Sequence, residues 1–421
     1  MRPVLRKSVL SLACLRGIGT VTALWVRGNF REACLWGGIG RCGIAISDSM
    51  ATADDGRADM VWEHVVRRSV VLAAVVLLAM GCERAELAEW ESSAQAVKLP
   101  EELRFTVTAA VRKESGTSLE PRFVGVALPK SEADRRRLQL HLKHGQAVYL
   151  LRCVQCHGTA GAGDGPVAVS LYPRPRDYTK GIFKFTSTAY GSKPRREDLI
   201  QTLIRGIAGT SMPAFRLLPK RDLEAVVDYV LVLSRRGELE FLLSSEAEAA
   251  EELEPETVAE YVDTVKSRWL EAGSLATQPL TPQPELTMER VAAGREAFLT
   301  KGCSKCHGED GRGHTKDNIG RDIWGHATRA ADLSSGMLRG GQEPMDIYRR
   351  ILNGINGTPM PGFRGVLESE PDTIWNLVSY VLEVSGRRRE ETLRGVAEIP
   401  AGLLKPYIDA ADSVEAGDQE E

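Results

Sequence analysis

The strongest constraint on this chain is an internal repeat built around the pentapeptide Cys-x-x-Cys-His. It occurs as Cys153-Val154-Gln155-Cys156-His157 and again, 150 positions later, as Cys303-Ser304-Lys305-Cys306-His307. Other blocks recur in the same order around each copy. Upstream, Gly145 stands four positions before Tyr149, and Gly294 four positions before Phe298. Immediately downstream lie the glycine-rich loops Gly158 to Pro166 and Gly308 to Gly313. Next, Gly206, Gly209, Thr210, Met212, Pro213 and Phe215 are matched in spacing by Gly354, Gly357, Thr358, Met360, Pro361 and Phe363. The stretches Tyr229 to Ser234 and Tyr380 to Ser385 close the series. Such a chain folds as two like units, and its 421 residues suffice for two cores with material to spare.

The pentapeptide also limits the chemistry. Two thiols three positions apart can both bond the vinyl-derived carbons of one haem, and the adjacent histidine then falls under the iron. The spacing therefore reads as covalent attachment of c-type haem, with His157 and His307 as proximal ligands. C-x-x-C also serves zinc sites and thioredoxin-like redox sites. Two copies, each followed by glycine and a glycine-rich loop, favour haem. Of the eight cysteines, Cys14, Cys34, Cys42 and Cys82 remain. They have no metal-ligand spacing and are too few for a disulfide framework in a chain this long. A net charge of -3 gives no footprint for nucleic acid.

Taken in order, residues 1–59 are rich in Gly and Arg and have no sustained helical or strand period. They read as lying upstream of the mature protein, with Met60 (or Met50) as its start. Residues 60–82 read as a signal peptide: Arg67 and Arg68 precede an apolar run, Ser69 to Met80, which is shorter than a membrane span. Residues 83–131 look like a tether with one short helix over Leu103, Val107, Ala110 and Val111. Ser131 and Asp134 cap the helix that leads into Cys153. A helix from Arg221 to Arg235 closes the first unit, residues 132–236. Residues 237–285 read as a helical and Pro-rich linker, with a helix starting near Pro255 and stopping at Gly273. The second unit, 286–386, opens with Met288 to Lys301 and closes with Asp372 to Val384. Residues 387–421 read as an acidic tail.

With those blocks in hand, each half resembles a class I c-type cytochrome domain, and the whole resembles a diheme member of that family. The resemblance implies an all-α fold of two tandem cytochrome c domains. In each, the first and last helices cross closely, with Gly145 or Gly294 at the crossing and Tyr229 or Tyr380 as facing aromatics. It also implies two covalently attached haem c groups and a distal methionine ligand in each half, Met212 and Met360. A thioether suits ferrous iron and raises the potential. His141, His144, His314 and His326 are competing ligands or plain surface histidines. A proline carbonyl after the haem loop commonly accepts the proximal imidazole's other N–H, which Pro166 can do. The second half has no proline nearby, so its acceptor stays open. Arg174, Arg176, Tyr178, Trp324 and Arg329 are either propionate contacts or surface.

Leu78 to Cys82 resembles a bacterial lipobox, with Ala79 where leucine is usual. That implies lipidation at Cys82 and a membrane-anchored protein on the periplasmic side of the cytoplasmic membrane. With both irons ligated on two faces, the expectation is outer-sphere electron transfer to or from a respiratory complex or terminal oxidase, without turnover of its own. The alternative is a diheme peroxidase-type enzyme, which needs one open haem face.

Overall fold

The computed structural model describes residues 9–12, 20–26, 29–35, 89–318 and 320–397, with side chains over 89–318 and 320–386. It divides at residue 85 into two units. The signal-peptide and lipobox segment, Cys82 included, and the acidic residues 410–421 lie outside the described residues.

The N-terminal unit contains strands β1 (Val9–Leu12), β2 (Thr20–Val26) and β3 (Asn29–Leu35) in one antiparallel sheet, ordered β1-β2-β3. This differs from the expectation of no strand period there. The β-branched residues Thr20, Val21, Thr22 and Val26 favour an extended backbone. The pairing of β2 with β3 runs from Thr20 with Leu35 to Val26 with Asn29.

The second unit is all-α apart from the two-residue strands β4 (Gly320–Arg321) and β5 (Ala327–Thr328). Its first half contains α1 (Glu101–Ser115), α2 (Glu132–Arg152), α3 (Val154–His157), α4 (Arg196–Arg205), α5 (Lys220–Ala250) and α6 (Pro255–Ser274). The second half contains α7 (Met288–Thr300), α8 (Cys303–His307), α9 (Pro344–Asn353), α10 (Arg364–Leu367) and α11 (Pro371–Ala397). No helix among the described residues is long and apolar enough to cross a membrane.

The repeat seen in sequence is a repeat of helix packing. Helix α2 starts at Ser131, whose side chain accepts from Asp134 N at 3.4 Å, and α7 starts at Thr287, which accepts from Arg290 N in the same way. Helix α2 crosses α5 at Gly145, where a Cβ would stand 2.0 Å from the Ala225 carbonyl oxygen. Helix α7 crosses α11 at Gly294, where a Cβ would stand 1.9 Å from the Asn376 oxygen. One turn on, Tyr149 meets Tyr229 with ring centroids 5.4 Å apart and planes at 58°, and Phe298 meets Tyr380 at 5.1 Å and 57°. Tilted pairs of this kind suit the ring quadrupoles.

Two elements run further than their sequence suggested. Helix α5 is 31 residues long and passes through Arg235-Arg236-Gly237, which looks like a helix end. Leu239, Leu243 and Ala247 continue its buried stripe, and Gly237 lets the chain at Thr179 approach. The extension gives α1 and α6 a surface to cover. Val107 and Val111 of α1 and Val265 and Trp269 of α6 join the same core as α2 and α5. Neither the tether nor the linker is therefore a free spacer: α1 and α6 are walls of the first half of the helical unit. Likewise α11 continues to Ala397, past the expected end at Val384.

Buried charge ties α6 down. Lys193 Nζ lies 2.7 Å from Glu238 Oε1, and Trp269 Nε1 donates to Glu238 Oε2 at 2.7 Å. Burial lowers the Lys193 pKa and Glu238 opposes that shift.

Candidate functional site

Each pentapeptide closes one turn of helix at the C-terminal end of α2 or just after α7. In the first, His157 N and Gly158 N donate to Cys153 and Val154 carbonyls at 2.9 and 2.8 Å. In the second, Gly308 N donates to Ser304 O at 2.8 Å. Gly158 and Gly308 then turn the chain out of the helix at φ of 73° and 75°, a region that glycine adopts without strain. The chain folds back at once: Gly163 N reaches His157 O at 3.0 Å, and Gly313 N reaches His307 O at 2.6 Å.

Both histidines are held the same way. His157 Nδ1 lies 3.1 Å from the Arg176 carbonyl and His307 Nδ1 lies 3.1 Å from the Ala331 carbonyl. A carbonyl only accepts, so Nδ1 carries the proton and Nε2 keeps its lone pair. Burial lowers the pKa of His157 to about 4 and also lowers that of His307, so both rings are neutral near pH 7. This corrects the expectation for Pro166: the acceptor is Arg176. The segment from Pro175 to Tyr178 lies against the haem loop, where Tyr178 N donates to Gly161 O at 2.7 Å. Leu333 N makes the matching bond to Gly311 O at 2.8 Å, which makes Ala331 the counterpart of Arg176. In the second half buried Asn318 joins the two segments, bonding Gly313 O and the Ala330 backbone N–H.

The four pentapeptide cysteines are free of disulfides. Burial raises Cys153 to about 12 and Cys303 to about 11. Neither Cys153 nor Cys303 is therefore a low-pKa thiolate of the kind that thioredoxin-like chemistry uses. Among the described residues no three His, Cys, Asp or Glu side chains cluster to hold a metal, so C-x-x-C lacks the partners of a zinc site there.

The methionine loops agree bond for bond. Ile207 N donates to Met212 O at 3.1 Å, and Ile355 N to Met360 O at 3.2 Å. Thr210 Oγ1 donates to Ile207 O, and Thr358 Oγ1 to Ile355 O, both at 2.8 Å. The same hydroxyls accept from Met212 N and Met360 N at 3.1 and 3.3 Å. Phe215 N and Phe363 N tie the loops back to α4 and α9 through Leu203 O and Ile351 O. Gly206 and Gly354 sit at φ of 67° and 70°, where a Cβ would press on the backbone after each methionine. A loop this determined fixes the backbone from which each methionine side chain projects.

The competing histidines are otherwise employed or exposed. His141 and His144 reach across to α5, with Nε2 2.8 Å from Asp228 and 2.7 Å from Asp222 respectively. They are helix-crossing partners, which goes beyond the reading of them as surface. His314 and His326 are exposed. Of the open propionate group, Arg174 and Arg329 are exposed. Buried Tyr178 stacks on His157, with centroids 4.7 Å apart and planes at 20°. That stacking is a third role, beyond the two open to Tyr178 from sequence, and Leu333 at the matching place cannot repeat it.

The donors present fit haem c: in each half two unpaired thiols, a neutral imidazole with an oriented lone pair, and a thioether on a rigid loop. Comparison with known proteins agrees. The family described as cytochrome c oxidase, cbb3-type, subunit III matches residues 141–230, and the cytochrome c family matches residues 291–385. Each range contains one pentapeptide, one methionine loop and the glycine crossing of the first and last helices. Among solved structures, a chain of the reducing HAO-like protein complex of Kuenenia stuttgartiensis is 29% identical, covering 62% of this chain and 99% of that chain, with a TM-score of 0.44. None of the curated proteins matches.

Proposed function

This chain is a c-type cytochrome with two cytochrome c domains, and we propose that it works as a membrane-tethered diheme electron carrier. A haem bound in each domain would supply a reversible one-electron iron couple. Cys153 and Cys156, and Cys303 and Cys306, would hold the two groups covalently. His157 and His307 would ligate through Nε2, oriented by the Arg176 and Ala331 carbonyls. Met212 and Met360 would fill the opposite faces. The observation that carries this reading is the identity of the two methionine loops in hydrogen bonding. With His and Met on opposite faces, neither iron would keep a vacant position for oxygen or peroxide, which disfavours the peroxidase alternative.

A respiratory partner is supported by the likeness of residues 141–230 to an oxidase subunit family. The lipobox-like end at Cys82 supports a lipid anchor on the periplasmic side. Two experiments test the reading. Met360→Ala is expected to abolish the second domain's methionine-to-iron absorption band and lower its potential; an unchanged spectrum rules Met360 out. Metabolic labelling with a radiolabelled fatty acid is expected to mark the wild type and not Cys82→Ala. An unlabelled wild type removes the anchor.

A further inference from the structure

The two cytochrome domains meet along a seam, and one contact in it joins the two candidate sites themselves. Arg176 is the residue whose carbonyl orients His157. Its guanidinium lies 3.7 Å from the ring centroid of Trp324, which belongs to the second domain. Trp324 in turn lies against the loop that presents Met360: a Cβ on Gly357 would come within 2.7 Å of its six-membered ring, so only glycine admits the indole there. Ile323 N also donates to Gly357 O at 3.1 Å. Tight packing thus runs from the proximal imidazole of the first domain, through Arg176 and Trp324, to the distal loop of the second.

The surroundings hold this contact in place. Buried Asp322 accepts from Trp324 N at 3.2 Å and from His326 N at 3.0 Å. Its other oxygen bonds Lys184 Nζ of the first domain at 3.2 Å. Elsewhere on the seam, Asn353 Nδ2 donates to Thr188 O at 2.9 Å, Gly191 N to Asn356 Oδ1 at 2.8 Å, and Arg205 pairs with Asp346 at 2.9 Å. Those bonds dock the domains. Only the Arg176–Trp324 stack, among the contacts named here, also touches the shell of both sites.

We propose that Arg176 and Trp324 are positioning residues that couple the two centres, forming the route by which an electron crosses from one domain to the other. One electron leaves a reduced site and arrives at an oxidised one; no bond forms or breaks and no proton moves. The guanidinium beside both sites favours the reduced, less positive state of each. Coupling between two centres is carried by contiguous packed contact, and the stack supplies that contact.

The inference rests on the diheme reading, and a haemochrome count of two on the wild type checks that reading separately. The test itself uses full-length, haem-loaded protein. Spectroelectrochemical titration gives the two potentials, and flash photoreduction follows redistribution of the electron between them. Trp324→Leu is expected to slow redistribution by about tenfold, within the range that loss of a coupling contact produces, whereas Trp324→Phe keeps the stack and the rate. Arg176→Gln preserves the backbone carbonyl that orients His157, and is expected to lower both potentials. Asp346→Asn loosens the seam away from the stack and is the control. Redistribution within about twofold of wild type in Trp324→Leu, the scatter of unrelated substitutions, overturns the proposal. So does equal slowing in Asp346→Asn, or a potential shift in Arg176→Gln confined to the first domain. If Trp324→Leu fails to mature, Arg176→Gln decides alone.

Discussion

At the residue scale the protein depends on atoms that are missing as much as on those present. Gly145 and Gly294 each leave room for a carbonyl of the crossing helix where a methyl group would overlap it. Gly294→Ala should therefore cost about 1–3 kcal/mol from forced separation of α7 and α11. Thermal unfolding of the loaded protein checks this, and an unchanged midpoint would contradict the crossing. These glycines, the cysteine pairs and the methionines were legible in the sequence because each role demands one residue type at one spacing. The acceptor for His157 was not. It is a backbone carbonyl, so the identity of Arg176 carries no mark of that role, and Pro166 looked as suitable.

At the scale of elements, amphipathic stripes told which helices would be buried but not against what. The helix from Pro255 was readable from its proline and its apolar spacing. Its place in the first domain's core was not, because that depends on α5 running on to Ala250. The same extension turns α1 from a segment of tether into part of the wall. Two substitutions test this. Trp269→Ala should destabilise the first domain by about 3–5 kcal/mol, the usual result of removing a buried aromatic side chain. Glu238→Ala should cost about as much, because Lys193 would stay buried without its partner. Denaturant unfolding followed through the first domain's haem absorbance reads both. If α6 were a free linker, neither change would move that transition.

At the scale of the whole molecule, two copies of one site on one chain define a relay. The second domain repeats the first in its crossing, its haem loop and its methionine loop. It differs where Ala331 replaces Arg176 and Leu333 replaces Tyr178. Those differences put a stacked phenol against His157 alone, so the two centres are expected to have different potentials. Burial brings the Arg176 pKa down to about 10, which still leaves it charged near pH 7. A single resolved potential for both centres would contradict this.

Whether each pentapeptide holds a covalent haem is tested most directly by the pyridine haemochrome assay. Protein matured with the haem-attachment machinery should give two c haems per chain, and one after Cys303→Ala with Cys306→Ala. A wild-type count of none, or a count unmoved by those substitutions, would rule out covalent haem at these pentapeptides.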